Sequence, residues 1–156
     1  MKELTIVEAV LANKTHADAI LELTDAYARD AMGLGEPLPK SSKENLISEL
    51  REFPGTLCFI AFSNGKAAGL ANCFYTFSTF KAAKVINVHD LVVMPDFRSM
   101  GIGQALLGAV EKKALETGCC KVTLEVREDN RARTLYERTG FSYGEPTMYF
   151  MTKELD

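Results

Sequence analysis

Residues 86–103 read Ile86-Asn87-Val88-His89-Asp90-Leu91-Val92-Val93-Met94-Pro95-Asp96-Phe97-Arg98-Ser99-Met100-Gly101-Ile102-Gly103. The Val- and Ile-rich run from Lys84 to Met94 predicts a strand. It meets Pro95, crosses a tight turn and enters a helix through Arg98 to Gly103. Glycine lets a backbone approach a ligand with no Cβ in the way. A helix start presents unpaired amides and the positive end of the helix dipole. Strand, glycine turn and helix start together make a site for phosphate or pyrophosphate. Arg98 adds a guanidinium fork for phosphate oxygens.

Two common phosphate motifs do not fit. A kinase-type P-loop needs Lys-Ser/Thr after its last glycine, and Gln104 follows Gly103 here. A dinucleotide fingerprint needs a third glycine, and Gln104, Ala105 and Leu106 supply none.

Working outward, Leu4 to Val10 reads as a strand and Thr15 to Arg29 as a helix with Ala19, Ile20, Leu23, Ala26 and Tyr27 at helical spacing. Glycines and prolines from Gly33 to Pro39 interrupt it. Ser41 to Glu44 resembles a capping box opening a second helix that ends near Phe53. Thr56 to Phe62 and Ala67 to Phe77 are strands joined at Asn64-Gly65, a strong hairpin signal. After the strand 84–94 come a helix from Gly101 to Thr117, a strand from Lys121 to Val126 and a short helix from Asn130 to Arg138, stopped at Gly140. Phe141 to Tyr143 and Thr147 to Thr152 are expected as a final strand pair. The order β-α-α-β-β-β-α-β-α-β-β describes an α/β domain with a parallel β-α-β unit in its later half.

The whole chain has 156 residues, the size of one domain, and no internal repeat or linker. Eighteen Lys and Arg against 21 Asp and Glu leave a charge of -3, which disfavours nucleic acid and anionic membranes as partners. No apolar run approaches a membrane span, and the N-terminus, with Glu3 and Glu8, does not read as a signal peptide. Four cysteines form no C-x-x-C pair, and only two histidines are present, so a metal site is not expected. Reduced thiols in a cytoplasmic protein are the expectation.

The turn Arg98-Ser99-Met100-Gly101-Ile102-Gly103, preceded by Leu91-Val92-Val93-Met94-Pro95, resembles the acetyl-CoA-binding motif Q/R-x-x-G-x-G/A of the GNAT (GCN5-related N-acetyltransferase) superfamily. A second block agrees with it: Leu124-Glu125-Val126-Arg127, then Asn130, Ala132, Leu135-Tyr136 and Gly140-Phe141. The resemblance implies a GNAT-type mixed central sheet with splayed parallel strands and helices on both faces. It implies an enzyme that moves an acetyl group from acetyl-CoA to a primary amine of a small molecule by direct transfer, with no metal. Arg98, Ser99, Met100, Gly101, Ile102, Gly103 and Gln104 would hold the pyrophosphate with their backbone amides. Leu91, Val92 and Val93 would pair with the pantetheine arm, and Asn130 would bond it. The spacing from Asn130 to Tyr136 is one residue shorter than is common in the family, which puts Asp129 where helical register would place the Asn.

Tyr136 matches the family tyrosine that faces the CoA sulfur. A phenol can protonate a departing thiolate; on the residues alone Tyr136 also reads as a core aromatic. His89 and Asp90 interrupt an apolar strand, which is costly without a purpose. They are candidates for the general base and for contact with the amine, and strand alternation sends them to opposite faces. A hydrogen-bonded His89 and an Asp90 paired with a Lys or a backbone amide stand beside that reading. The loop Gly33 to Lys40 and the aromatics Phe74, Tyr75, Phe77 and Phe80 lie where the family builds its acceptor pocket, unless the aromatics pack an edge or a dimer. Lys81 and Lys84 would suit an anionic acceptor or a solvated edge, and Cys119-Cys120 reads as structural. The remaining functional readings are a protein or peptide N-acetyltransferase and a catalytically silent acyl-CoA sensor. Homodimerisation through terminal strands is common in the family.

Overall fold

The computed structural model describes residues 3–155. Five strands form one sheet in the order β1-β2-β3-β4-β5: β1 Leu4–Glu8, β2 Thr56–Ser63, β3 Lys66–Ser78, β4 Ala83–Val93 and β5 Lys121–Leu124. All neighbours are antiparallel except β4 and β5, which are parallel. Asn64 and Gly65, both at positive φ, make the tight β2–β3 turn. Helices α1 Lys14–Arg29 and α2 Lys40–Glu52 cover one face, and α3 Ile102–Glu116 with α4 Arg133–Arg138 covers the other.

Alternation along the central strands builds two cores. Leu57, Phe59 and Ala61 of β2 and Ala71 and Cys73 of β3 pack beneath Ile102, Leu106 and Val110 of α3. Cys58 and Ile60 of β2 and Leu70 of β3 pack beneath Ala19, Ile20 and Leu23 of α1. Strands covered on both faces read as near-continuous apolar runs, as β2 and β3 do. The α3 helix sits close on the sheet because residue 69 is glycine. A Cβ there would lie 2.9 Å from Ile102 Cγ2 and 3.0 Å from the Val92 carbonyl oxygen.

Two expectations fail. The capping box at Ser41 does not form: α2 starts two residues earlier than that cap would set it, with Pro39 as its N-cap and Lys43 N–H donating to the Pro39 carbonyl at 3.0 Å. The final strand pair is absent among the described residues. Tyr143 is instead held on α4, where Arg133 Nε donates to its hydroxyl at 2.6 Å and that hydroxyl donates to Glu137 Oε1 at 3.3 Å. Met148, Tyr149, Phe150 and Met151 stay exposed beyond it.

Candidate active site

Strands β4 and β5 pair from Val85↔Lys121 to Val88↔Leu124 and no further. Past that point Leu91, Val92 and Val93 pair only with Ala71, Leu70 and Gly69 of β3, so the β5-side edge of the strand keeps free backbone groups. A cleft of about 680 Å³ opens there, lined by Tyr27, Asp30, Leu91 to Met94, Arg98 and Asn130 among others.

At one end of the cleft lies the start of α3. Ser99 (φ 62°) and Gly101 (φ 79°) both adopt left-handed backbone, and no side chain caps the helix at Gly101. The first-turn amides of Ile102, Gly103 and Gln104 are therefore open to an anion. A Cβ at Gly103 would meet Leu135 Cδ2 at 2.9 Å, so the leucine side chain would have to shift to admit one. The Ile102 side chain is buried in the core, so only its amide is on offer. Ser99 and Met100 are exposed. Gln104 lines a second cleft of about 600 Å³ between α3, β5 and α4, away from Leu91 to Val93. Arg98 stands at the mouth, donating from Nη2 to Asp30 Oδ2 at 3.2 Å and from Nε to the Val93 carbonyl at 3.2 Å. The Met32 backbone N–H, and after it the Arg98 guanidinium, hold the Asp30 carboxyl below its ordinary value against the opposing effect of burial.

The opposite wall follows β5. Asn130 lines the cleft, and its Oδ1 accepts the Ala132 N–H at 2.9 Å, which leaves its own amide hydrogens without a partner among the described residues. Asp129 also lines the cleft but is taken by Arg127, from Nε at 3.0 Å and Nη2 at 2.9 Å. Arg127 reaches across to the Ala31 carbonyl at 3.3 Å.

His89 and Asp90 do not point to opposite faces. A bulge sits where Asn72 pairs with Asp90 but Cys73 pairs with Val88, leaving His89 unmatched. The extra residue resets the alternation. His89 is exposed and packs edge-to-face on Phe74 with centroids 5.6 Å apart, and Phe74 in turn meets Phe53 at 5.4 Å. Asp90 is half-buried on that same α1–α2 side, where its Oδ2 accepts from Asn72 Nδ2 at 3.0 Å. Neither of the simpler alternatives for Asp90, a Lys partner or a backbone amide, is what the structure contains. Asn72 was not singled out from the sequence. The signal was there: one polar residue inside the apolar run Ala67 to Cys73.

Tyr136 is buried and packs on Phe141 with centroids 6.0 Å apart. Burial, helped by the nearby Tyr27, pushes its phenol up to about 12. No group among the described residues hydrogen-bonds its hydroxyl. Tyr27, read from the sequence only as part of a helix face, lines the cleft itself. Its phenol is raised by burial and then by the charges of Asp90 and Asp30.

Of the aromatics expected around an acceptor, Phe74 packs on His89. Phe77 and Phe80 are exposed. Tyr75 lies near Thr117, and Lys84 sits over its ring at 5.6 Å. The loop after α1 is tied down by Leu38 N–H donating to Asp25 Oδ1 at 2.9 Å. Among the described residues no group of three or more His, Cys, Asp or Glu side chains is placed to hold a metal ion. No helix among them is long and apolar enough to cross a membrane.

Comparison with known proteins agrees with this geometry. The model of the acetyltransferase (GNAT) family matches residues 18–141. The chain is 34% identical over 137 residues to the uncharacterized N-acetyltransferase YhfO of Bacillus subtilis (strain 168), covering 83% of this chain and 86% of that protein. Its fold is similar to that of the aminoglycoside N-acetyltransferase AAC(6')-Iy solved with CoA (TM-score 0.77, 19% identity, 98% of this chain and 97% of that one). It is similar too to a ribosomal-protein-alanine N-acetyltransferase from Brucella melitensis biovar Abortus 2308 (TM-score 0.76, 18% identity, 97% and 100%).

Proposed function

Because the chain belongs to the acetyltransferase (GNAT) family, we propose that it is a single-domain enzyme that takes its acetyl group from acetyl-CoA and delivers it directly to the primary amine of a small molecule. The splayed β4–β5 gap carries this reading. It is a slot with a free strand edge along one side and open helix amides at one end. A long ligand ending in a pyrophosphate fits such a slot: Arg98 and the α3 amides would take the phosphates, and Leu91 to Val93 and Asn130 the pantetheine arm.

The chain's own groups then have these tasks. Asp90 or His89, directly or through water, accepts the proton of the incoming ammonium. A backbone amide on the free edge near Val92 or Val93 stabilises the negative charge on the thioester oxygen. As the C–N bond forms and the C–S bond breaks, Tyr136, kept protonated by burial, gives a proton to the departing sulfur and is restored by the second proton that the nitrogen sheds. Holding amine and thioester together supplies much of the rate. The similar fold of an aminoglycoside N-acetyltransferase supports a small amine acceptor.

A protein or peptide N-terminus is the second reading, favoured by the open acceptor side, where Phe53 and His89 are exposed and residues 141–155 form no covering strand. The four free cysteines support a reducing, cytoplasmic setting. A homodimer belongs to the same proposal and is checked by sedimentation.

The test is CoA thiol release from acetyl-CoA with a panel of amines, amino sugars and peptides. Release with one small amine supports the first reading, and release with peptides alone supports the second. Acetyl-CoA binding without release for any acceptor leaves a sensor domain.

A further inference from the structure

Asp90 is a half-buried carboxylate with no ion-pair partner among the described residues. Its only hydrogen bond there comes from Asn72, whose residue is 4% exposed. Cys58, Asn72 and Asp90 stand side by side on β2, β3 and β4. Both hydrogens of the Asn72 amide and its oxygen are engaged. Its Nδ2 donates to Asp90 Oδ2 at 3.0 Å and to Thr24 Oγ1 at 3.1 Å, and its Oδ1 accepts from the Cys58 thiol at 3.3 Å. Burial pushes that thiol up to about 12, so Cys58 stays an S–H donor throughout the working range. A donor facing Oδ1 fixes which way the amide points, and its N–H group cannot turn away from Asp90.

We infer that Asn72 is a positioning residue that fixes the Asp90 carboxylate to receive the ammonium of the acceptor, leaving Asp90 Oδ1 for the substrate. This rests on the reading of the chain as an amine acetyltransferase. Tyr27 of α1, Cys58 of β2 and Cys73 of β3 feel the Asp90 charge, His89 follows on the same face, and no Lys, Arg or His among the described residues stands at ion-pair distance from Asp90. The cation that the site lacks is the one an amine substrate brings. An unpaired carboxylate already held in place binds an ammonium without paying again for side-chain ordering.

The experiment is steady-state kinetics on the full chain with the best amine from the panel, alongside acetyl-CoA binding by calorimetry. Asn72→Leu, close in size but without a donor, is expected to raise the amine KM by about 10- to 100-fold, the usual worth of a hydrogen bond to a charged group. The acetyl-CoA Kd should stay within about twofold. In an Asp90→Asn background the same substitution should then cost almost nothing, because Asn72 acts through Asp90. A cost that persists in that background shows a merely structural Asn72 and overturns the inference, as does an unchanged amine KM in the single variant. If Asn72→Leu does not fold, Cys58→Ala and Cys58→Ser decide. Loss of the donor should raise the amine KM several-fold and serine should restore it, and equal kinetics in the two overturn the inference. If the unmodified chain acetylates no amine, the underlying reading falls and takes this one with it. An active chain indifferent to Asn72 removes this inference alone.

Discussion

Arg98, on the turn leading into α3, donates to Asp30 at 3.2 Å and so ties the start of that helix to the end of α1 across the mouth of the cleft. An anionic ligand entering between them competes with Asp30 for the guanidinium. Arg98→Ala is expected to weaken acetyl-CoA binding by about 10-fold or more at low salt, with the difference shrinking as salt rises. Asp30→Asn keeps an acceptor for the Met32 N–H and removes the competing charge, so binding should tighten or hold. Calorimetric titration reads both, and weaker binding in Asp30→Asn would show that the carboxylate helps the site.

Tyr136→Phe keeps the packing on Phe141 and deletes the one group proposed to protonate sulfur. The kcat should fall by about 100-fold or more, with acetyl-CoA affinity unchanged. Because the phenol is pushed up to about 12, its ionisation should add no alkaline limb to the rate below pH 10. An unaltered kcat would return Tyr136 to the status of a core aromatic.

Gly69→Ala tests what seats α3. The new Cβ would press on Ile102 Cγ2 and, at 3.0 Å, on the Val92 carbonyl oxygen, which belongs to the strand lining the cleft. Overpacking of this kind costs about 1–3 kcal/mol. Urea unfolding should show the loss, and acetyl-CoA affinity should fall with it because α3 and β4 are pushed apart. Stability equal to that of the unmodified chain would mean the helix seats itself without the glycine.

Alkaline stability carries a signature of the buried thiols. Burial raises Cys58 to about 12 and raises Cys73 as well, whereas a thiol in the unfolded chain ionises near ~8.5. Above that pH the unfolded state binds fewer protons than the fold, so stability falls as pH climbs from ~8.5 towards 12. Tyr136 adds to the decline above ~10. Below pH 8 these groups should leave the melting temperature flat. Thiol labelling gives the parallel check: exposed Cys120 reacts in the native protein, and buried Cys58 and Cys73 react only on unfolding. Fast labelling of all four would contradict the packing.

Much of this protein could be read along the chain, because the relevant physics is local. Period-2 and period-3.6 spacing of apolar residues marked the strands and helices up to Arg138, and Asn64-Gly65 marked its hairpin. Arg98 to Gly103 marked a glycine turn into a helix, and the structure shows that helix start with no side-chain cap. What needed the tertiary structure is what depends on neighbours far apart in sequence. The β4 bulge at His89 exists only against β3, and it turns His89 and Asp90 to one face where alternation alone parts them. The Asn72–Asp90 contact joins residues 18 apart, and Arg98–Asp30 joins residues 68 apart. Gln104 follows the glycines in sequence, yet its side chain falls into another cleft because a helix turns about 100° per residue. The C-terminal stretch alternates well enough to suggest strands, but a strand needs a partner edge, and Arg133 and Glu137 hold Tyr143 on α4 instead.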